Sequence, residues 1–331
     1  MRVLYIKTYK TGSSTLAGIL RTVAAARGMH VIDPGGDSQV NRADWQADLA
    51  AEPAGRCFDM VASHTQRAGW QDEALPGATR ITIVRDPVQR ALSGFYHSRR
   101  TPFCRVLCCS LRSTRCKGSL GDAACTAAGD ALKLRWAREC TSMHDAQLAF
   151  MVLSADEGGG TSPVQAVSHY DLVAVMERFD ESLVVLRHVL GLELGELLYV
   201  KAKSLPHNYT YNLPGGEGST SLPPVTRLLE AEELPAFKAA LAERNRLDTE
   251  MVAEANRRLD EHVAAIGKHV VMQELAQLQE LQQQVLIACA DAAAAARTLG
   301  RPGYDPWNDC HWRDNGCARD CIANVRQLNG V

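Results

Sequence analysis

The stretch Val3-Leu4-Tyr5-Ile6-Lys7-Thr8-Tyr9-Lys10-Thr11-Gly12-Ser13-Ser14-Thr15-Leu16 constrains this chain more than any other part of it. An apolar run over residues 2–7 passes through a turn-like stretch into Ser13–Arg27, where Leu16, Ile19, Leu20 and Val23 recur at helical spacing. The pattern predicts strand, loop and helix in succession. Backbone N–H groups at a helix start lack intrahelical partners and carry partial positive charge, so they form a ready anion site. Gly12 would let a ligand approach the backbone closely. Thr11, Ser13, Ser14 and Thr15 add hydroxyl donors, and Lys10 adds a cation. An ordinary Ser/Thr helix cap would draw on the same residue types.

Three more strands are predicted, over 58–63 ending at His64, over 79–84 ending at Arg85, and over 171–176. Pro87 suits the first turn of a helix carrying Val88, Ala91, Leu92 and Phe95 on one face. Helical patterns fill 129–153, Phe179 to Leu190, 225–266 and a Leu/Gln/Ala-rich stretch over 268–298, the last read as a packing or oligomer element. Five prolines and glycines between Pro206 and Gly218 predict a loop over 204–224. The fold class is therefore α/β, a mostly parallel central sheet flanked by helices with a helical C-terminal extension. The expected division is a domain over 1–266, interrupted by a cysteine-rich insertion over 101–140, and an extension over 267–331. Such sheets bind ligands beyond the carboxyl ends of their strands. Lys10, His64 and Arg85 each follow a predicted strand there.

The loop is not a Walker A motif, because G-x-x-x-x-G-K-[ST] is absent and the lysine precedes the glycine. No compelling acidic residue for magnesium follows a later strand. A terminal triphosphate needs a metal to neutralise it, whereas a less charged group can be met by a lysine and backbone amides. Arg85 supplies a fork suited to a phosphate, and Ser93 lies eight residues on in the following helix. A surface ion pair with Asp86 is the plainer alternative for Arg85.

These segments resemble the nucleotide motifs of Golgi carbohydrate sulfotransferases. Lys-Thr-Gly-Ser-Ser-Thr-Leu (10–16) looks like the family's 5′-phosphosulfate loop, and Val-Arg-Asp-Pro (84–87) with Ser93 looks like its 3′-phosphate motif. Leu75–Pro87, Asp171–Leu183 and Asn245–Asn256 are closest to the galactose-3-O-sulfotransferase branch. The resemblance covers roughly 2–266; the cysteine-rich segment and the tail after 268 lie outside it.

The resemblance implies the P-loop-like sulfotransferase fold and an enzyme in the Golgi lumen. The implied donor is 3′-phosphoadenosine-5′-phosphosulfate (PAPS), with no metal. The implied acceptor is a carbohydrate hydroxyl on a glycan or glycolipid, with the 3-OH of galactose the nearest match. Lys10 and residues 11–15 would hold the phosphosulfate, and Arg85 and Ser93 the 3′-phosphate. His64 would accept the acceptor's proton, a role suited to histidine near neutral pH. A strand-capping histidine is the structural alternative. The rival functions are a P-loop kinase of a small molecule and a non-catalytic glycan-binding relative.

Net charge is −2 over 331 residues, so no global basic field for nucleic acid exists. No run of about 18 apolar residues is present to span a membrane, and the first residues do not read as a signal peptide. Membrane anchoring, normal in that family, would need a segment this sequence lacks. Of eleven cysteines, six fall between Cys104 and Cys140 and three are Cys310, Cys317 and Cys321. This clustering predicts disulfides and an oxidising compartment. Zinc at Cys310 and His311 lacks the usual CxxC spacing. Cys57 and Cys289 read as core thiols, and Asn208-Tyr209-Thr210 is a glycosylation sequon. His97, His144 and His169 are weaker base candidates. Arg67, Arg99 and Arg100 read as a solvated face, and Glu177, Asp180 and Glu181 as the start of a helix. Trp45, Trp70 and Trp136 read as core or interface residues.

Overall fold

Apolar runs pair side by side in the computed structural model, which describes residues 1–32, 42–51, 58–98, 144–152, 162–202, 210–212, 219–221, 234–295, 314 and 316–331. The described residues fall into two compact units. The first, formed by 1–85, 147–204 and 250–331, contains five strands: β1 (Val3–Ile6), β2 (Val31–Ile32), β3 (Met60–Ser63), β4 (Thr79–Val84) and β5 (Leu172–Val175). All pair in parallel in the order β2-β3-β1-β4-β5. Register sets Ile6 against Ser63 on one side and Thr82 on the other. The central strand β1 is buried throughout, as are β3 and β5. That explains why these strands read as continuous apolar runs instead of alternating ones. Two-residue β2 is too short to carry a periodic signal, and sequence reasoning missed it.

Helix α1 (Ser13–Ala26) buries Leu16, Ile19, Leu20 and Val23, the stripe expected from their spacing. In the same unit lie α2 (Arg42–Ala51), α3 (Trp70–Ala74), α5 (Ala146–Met151) and α6 (Pro163–Ser168), the last opened by a Ser162/Gln165 capping box. Helix α7 (Phe179–Leu190) ends at Gly191 in the left-handed region and packs on β5 and on α10 (Lys268–Ala288). The C-terminal helix α12 (Arg319–Asn329) packs on α10, and a Cys289–Cys321 disulfide with Cα atoms 5.8 Å apart joins the two regions. Cys289 is therefore not the core thiol expected, although it is buried; the tail folds back to meet it. Cys317 is also disulfide-bonded.

The second unit, formed by 86–146 and 205–249, contains α4 (Pro87–Ser98), α8 (Leu234–Arg244) and the first turn of α9 (Arg246–Ile266). Arg90 is buried, with Nη2 donating to Asn245 Oδ1 at 3.3 Å and Nε 3.7 Å from Asp248 Oδ2. Burial disfavours the Arg90 cation, while Asp248 and Asp145 favour it. A two-stranded antiparallel ribbon, β6 (Thr210–Asn212) with β7 (Ser219–Ser221), corrects the loop expected over 204–224. Helix α11 (Ala290–Ala295) follows α10 in the first unit. Cys57, the cysteines of 104–140, Cys310, His311, Asn208, Trp136, Arg99 and Arg100 lie outside the described residues.

Candidate active site

Parallel pairing puts the carboxyl ends of β3, β1 and β4 side by side, and His64, the Lys7–Gly12 loop and Arg85 follow those strands directly. The convergence expected from strand order is therefore present within the first unit. The loop is braced from inside. Lys7 continues the ladder by donating its N–H to Ser63 O at 2.8 Å, and Thr82 Oγ1 donates to Ile6 O at 2.8 Å. The Thr8 hydroxyl donates to the Ile83 carbonyl, and Thr11 Oγ1 and Ser13 Oγ both donate to Thr8 O, at 3.1 and 2.8 Å. Thr11 and Ser13 are buried, so their hydroxyls shape the loop.

The turn needs left-handed backbone at Lys10 (φ 65°) and at Gly12 (φ 79°). The left-handed φ is what requires glycine at 12; a Cβ there would also stand 2.4 Å from Met176 Sδ and would have to displace that flexible side chain. Gly12 caps α1 with no side-chain cap hydrogen bond, and the first turn holds no acidic residue. Within that turn, then, no acidic side chain opposes the helix dipole. Ser14 is half-buried in that turn, and Thr15 Oγ1 accepts from Ala202 N at 3.1 Å. Lys10 is half-buried, and its carbonyl accepts from Arg85 Nη1 at 3.2 Å, which ties the two strand ends together.

Arg85 is held by a residue that sequence reasoning did not single out. Buried Gln147 accepts from Arg85 N at 2.7 Å and donates to Arg85 O at 2.9 Å. No local pattern marks a glutamine 62 residues away as this clamp. Ser93 lies on α4 of the second unit and is half-buried.

His64 is 8% exposed, and its Nδ1 stands 2.8 Å from the Lys7 carbonyl oxygen. A carbonyl only accepts, so Nδ1 carries the proton and Nε2 is left as the basic nitrogen. Its ring stacks on Tyr9 at 4.2 Å and 8°, and Tyr9 in turn meets the edge of Phe150. Of the other candidates, His144 is half-buried and His169 is exposed at the end of α6. Arg67 corrects its expected place on a solvated face: it is 6% exposed and ion-paired with Asp72. Its pairing follows from the turn into α3, which carries Asp72. Trp45 and Trp70 stack on each other.

A cleft of about 360 Å³ opens beside Gly12 and Thr15, lined further by Met176, Phe179, Tyr199 and Lys201 and by the charged Glu177, Arg178, Asp180 and Glu181. Asp180 accepts from the Tyr199 hydroxyl at 2.8 Å, and Glu181 pairs with Arg178. Burial, then Asp180, pushes the Tyr199 phenol far above its ordinary value, so it stays a donor. Asp180 and Glu181 lie in the first turn of α7, as expected, but that helix start carries no side-chain cap hydrogen bond.

The galactose-3-O-sulfotransferase family model matches residues 160–311. Galactosylceramide sulfotransferase of Bos taurus is 27% identical over 322 residues, covering 92% of this chain and 68% of that protein. Galactose-3-O-sulfotransferase 3 of Homo sapiens is 26% identical over 313 residues, covering 87% and 63%. The chain thus spans about two-thirds of the length of these relatives. The family match runs past residue 268, so the similarity does not stop where the sequence motifs fade. A glycine-turned loop at the start of α1, with a histidine and an arginine at the neighbouring strand ends, fits these likenesses: the chain is a sulfotransferase similar to the galactose-3-O-sulfotransferases.

Proposed function

We propose that this chain transfers a sulfuryl group from PAPS to a carbohydrate hydroxyl, the 3-OH of a galactose in a glycolipid or glycoprotein, in the Golgi lumen. The observation that carries the reading is the 2.8 Å contact of His64 Nδ1 with the Lys7 carbonyl, which leaves Nε2 as the nitrogen able to take a proton, just past the carboxyl end of β3. In an in-line displacement, the acceptor oxygen bonds to sulfur as the bond from sulfur to the bridging phosphate oxygen breaks. His64 Nε2 takes the hydroxyl proton, and 3′,5′-bisphosphoadenosine leaves. Lys10 meets the charge that develops on the bridging oxygen, and the amides of α1's first turn, with Ser14 and Thr15, hold the phosphosulfate. Arg85 takes the 3′-phosphate. The names of the relatives support the acceptor class, since one acts on galactosylceramide and the other on galactose.

Two measurements test this reading. PAPS, and not ATP with magnesium, is expected to raise the melting temperature; ligand at 100 times its dissociation constant stabilises by ~2.7 kcal/mol. Sulfur-labelled PAPS is then offered with galactose-terminated glycans and galactosylceramide. Stabilisation by ATP alone would return the kinase reading, and donor binding without transfer to any hydroxyl would leave a glycan-binding relative.

A further inference from the structure

Lys7 occupies an unusual place for a cation, with its side chain 2% exposed at the entrance to the anion loop. Its ammonium is ion-paired with Asp314, whose side chain is 3% exposed and whose backbone is left-handed at φ 53°. The partner comes from 307 residues away and lies beyond the 160–311 segment that the family model matches. Two close approaches hold the described tail residues against α1. A Cβ on Gly18 of α1 would stand 2.9 Å from the Gly316 Cα, and one on Gly316 would stand 2.8 Å from Thr22 Oγ1. The tail is tied again by the Cys289–Cys321 disulfide and by the packing of Val331 on Gly195.

Asp314 also reaches the loop's other support. Tyr5 donates its hydroxyl to Ser13 O, at the first residue of α1, at 3.2 Å. Burial, then the nearby Asp314 charge, raises the Tyr5 phenol well above its ordinary value, so this donor keeps its proton. Lys7 itself connects the tail to the chemistry, because the carbonyl of the residue whose side chain Asp314 grips is the one that orients His64.

We infer that Asp314 is a positioning residue for sulfuryl transfer: by holding the Lys7 ammonium from behind, the C-terminal segment fixes the Lys7 carbonyl and hence the tautomer and aim of His64. The inference rests on the reading of His64 as the base. Misplacement by about 1 Å can cost ~10²-fold in rate, so the effect belongs in turnover and in the pH profile more than in donor affinity.

The test compares wild type, His64→Ala, Asp314→Asn, Asp314→Glu and the double variant Lys7→Met/Asp314→Leu. The double variant removes both charges together, so no buried charge is left alone if Asp314→Asn fails to fold. Each is assayed with labelled PAPS below its melting temperature. Asp314→Asn and the double variant are expected to lose ~10–100-fold in kcat, with donor KM changed less than threefold and the acidic limb of the profile displaced. Asp314→Glu is expected to recover part of the rate. If the double variant turns over like wild type with an unchanged profile, the inference is overturned. Loss of kcat and donor binding in parallel, proportional to the folded fraction, overturns it as well. Failure of the underlying reading looks different: wild type would transfer nothing from PAPS, or His64→Ala would keep its turnover.

Discussion

The Nδ1 of His64 and the carbonyl oxygen of Lys7, 57 residues apart in the chain, meet at 2.8 Å across adjacent parallel strands. One hydrogen bond thereby settles which ring nitrogen carries the proton in the neutral imidazole. His64→Ala is expected to leave PAPS affinity nearly intact and to lower turnover by ~10²–10⁴. His64→Gln would not restore it, since an amide does not accept the proton. The acidic limb of the pH–rate profile would vanish with the imidazole. A variant with a normal melting temperature and most of its turnover would remove His64 from the mechanism.

The proposed role of Arg85 at the 3′-phosphate has a separate test. Its backbone is clamped by Gln147, so truncation of the side chain removes the bond to Lys10 O but leaves the end of β4 in place. Arg85→Ala is expected to weaken PAPS binding by roughly 1.5–3 kcal/mol, the worth of hydrogen bonds to a charged group. It would weaken a nucleotide lacking the 3′-phosphate far less. Calorimetric titration of both nucleotides distinguishes this from a general loss of the site, in which both would suffer equally.

Gly12 is constrained twice, by φ 79° and by Met176. Gly12→Ala is expected to cost about 1–2 kcal/mol from the left-handed backbone alone, with a further steric cost against the thioether. Adding Met176→Ala would relieve only the steric part. Urea denaturation of the single and double variants measures the two contributions, and full recovery in the double variant would show that φ is not the constraint.

The Cys289–Cys321 bond closes a sequence separation of 32 residues. Non-reducing peptide mapping of secreted protein is expected to find this pair joined. Replacing both cysteines with serine is expected to lower stability by about 2–4 kcal/mol, in the range for native bridges. Full alkylation of Cys289 and Cys321 without reductant would contradict the fold-back of the tail.

His262 on α9 gives a pH dependence of stability. Burial and then Arg258 depress its imidazole below the ordinary 6.5, partly offset by Asp171 and Glu261. Between the depressed folded value and 6.5 the unfolded chain binds the extra proton, so stability rises with pH there. His262 is therefore expected to cost stability as pH falls from 6.5, and His262→Gln to flatten that part of the curve. Parallel melting curves for wild type and variant between pH 7 and 5 would refute the assignment.

The strands β1, β3, β4 and β5, the helices α1 and α7, and the residues Lys10, His64 and Arg85 were legible in the sequence, because each depends on local pattern: an unbroken apolar run, a 3.6-residue stripe, a polar residue where a strand stops. Parallel order then brings those ends together with little freedom. Gln147 behind Arg85, the Lys7 carbonyl behind His64 and Asp314 behind Lys7 have no such signal. Their partners are chosen by burial, since a buried cation or backbone amide must find its complement wherever the fold supplies one. Cys289 shows the same division: its apolar surroundings were readable, but its bond to Cys321 exists only because the tail packs back on α10. Local periodicity determined the elements and the loop, and the tertiary structure decided which distant groups hold them in place.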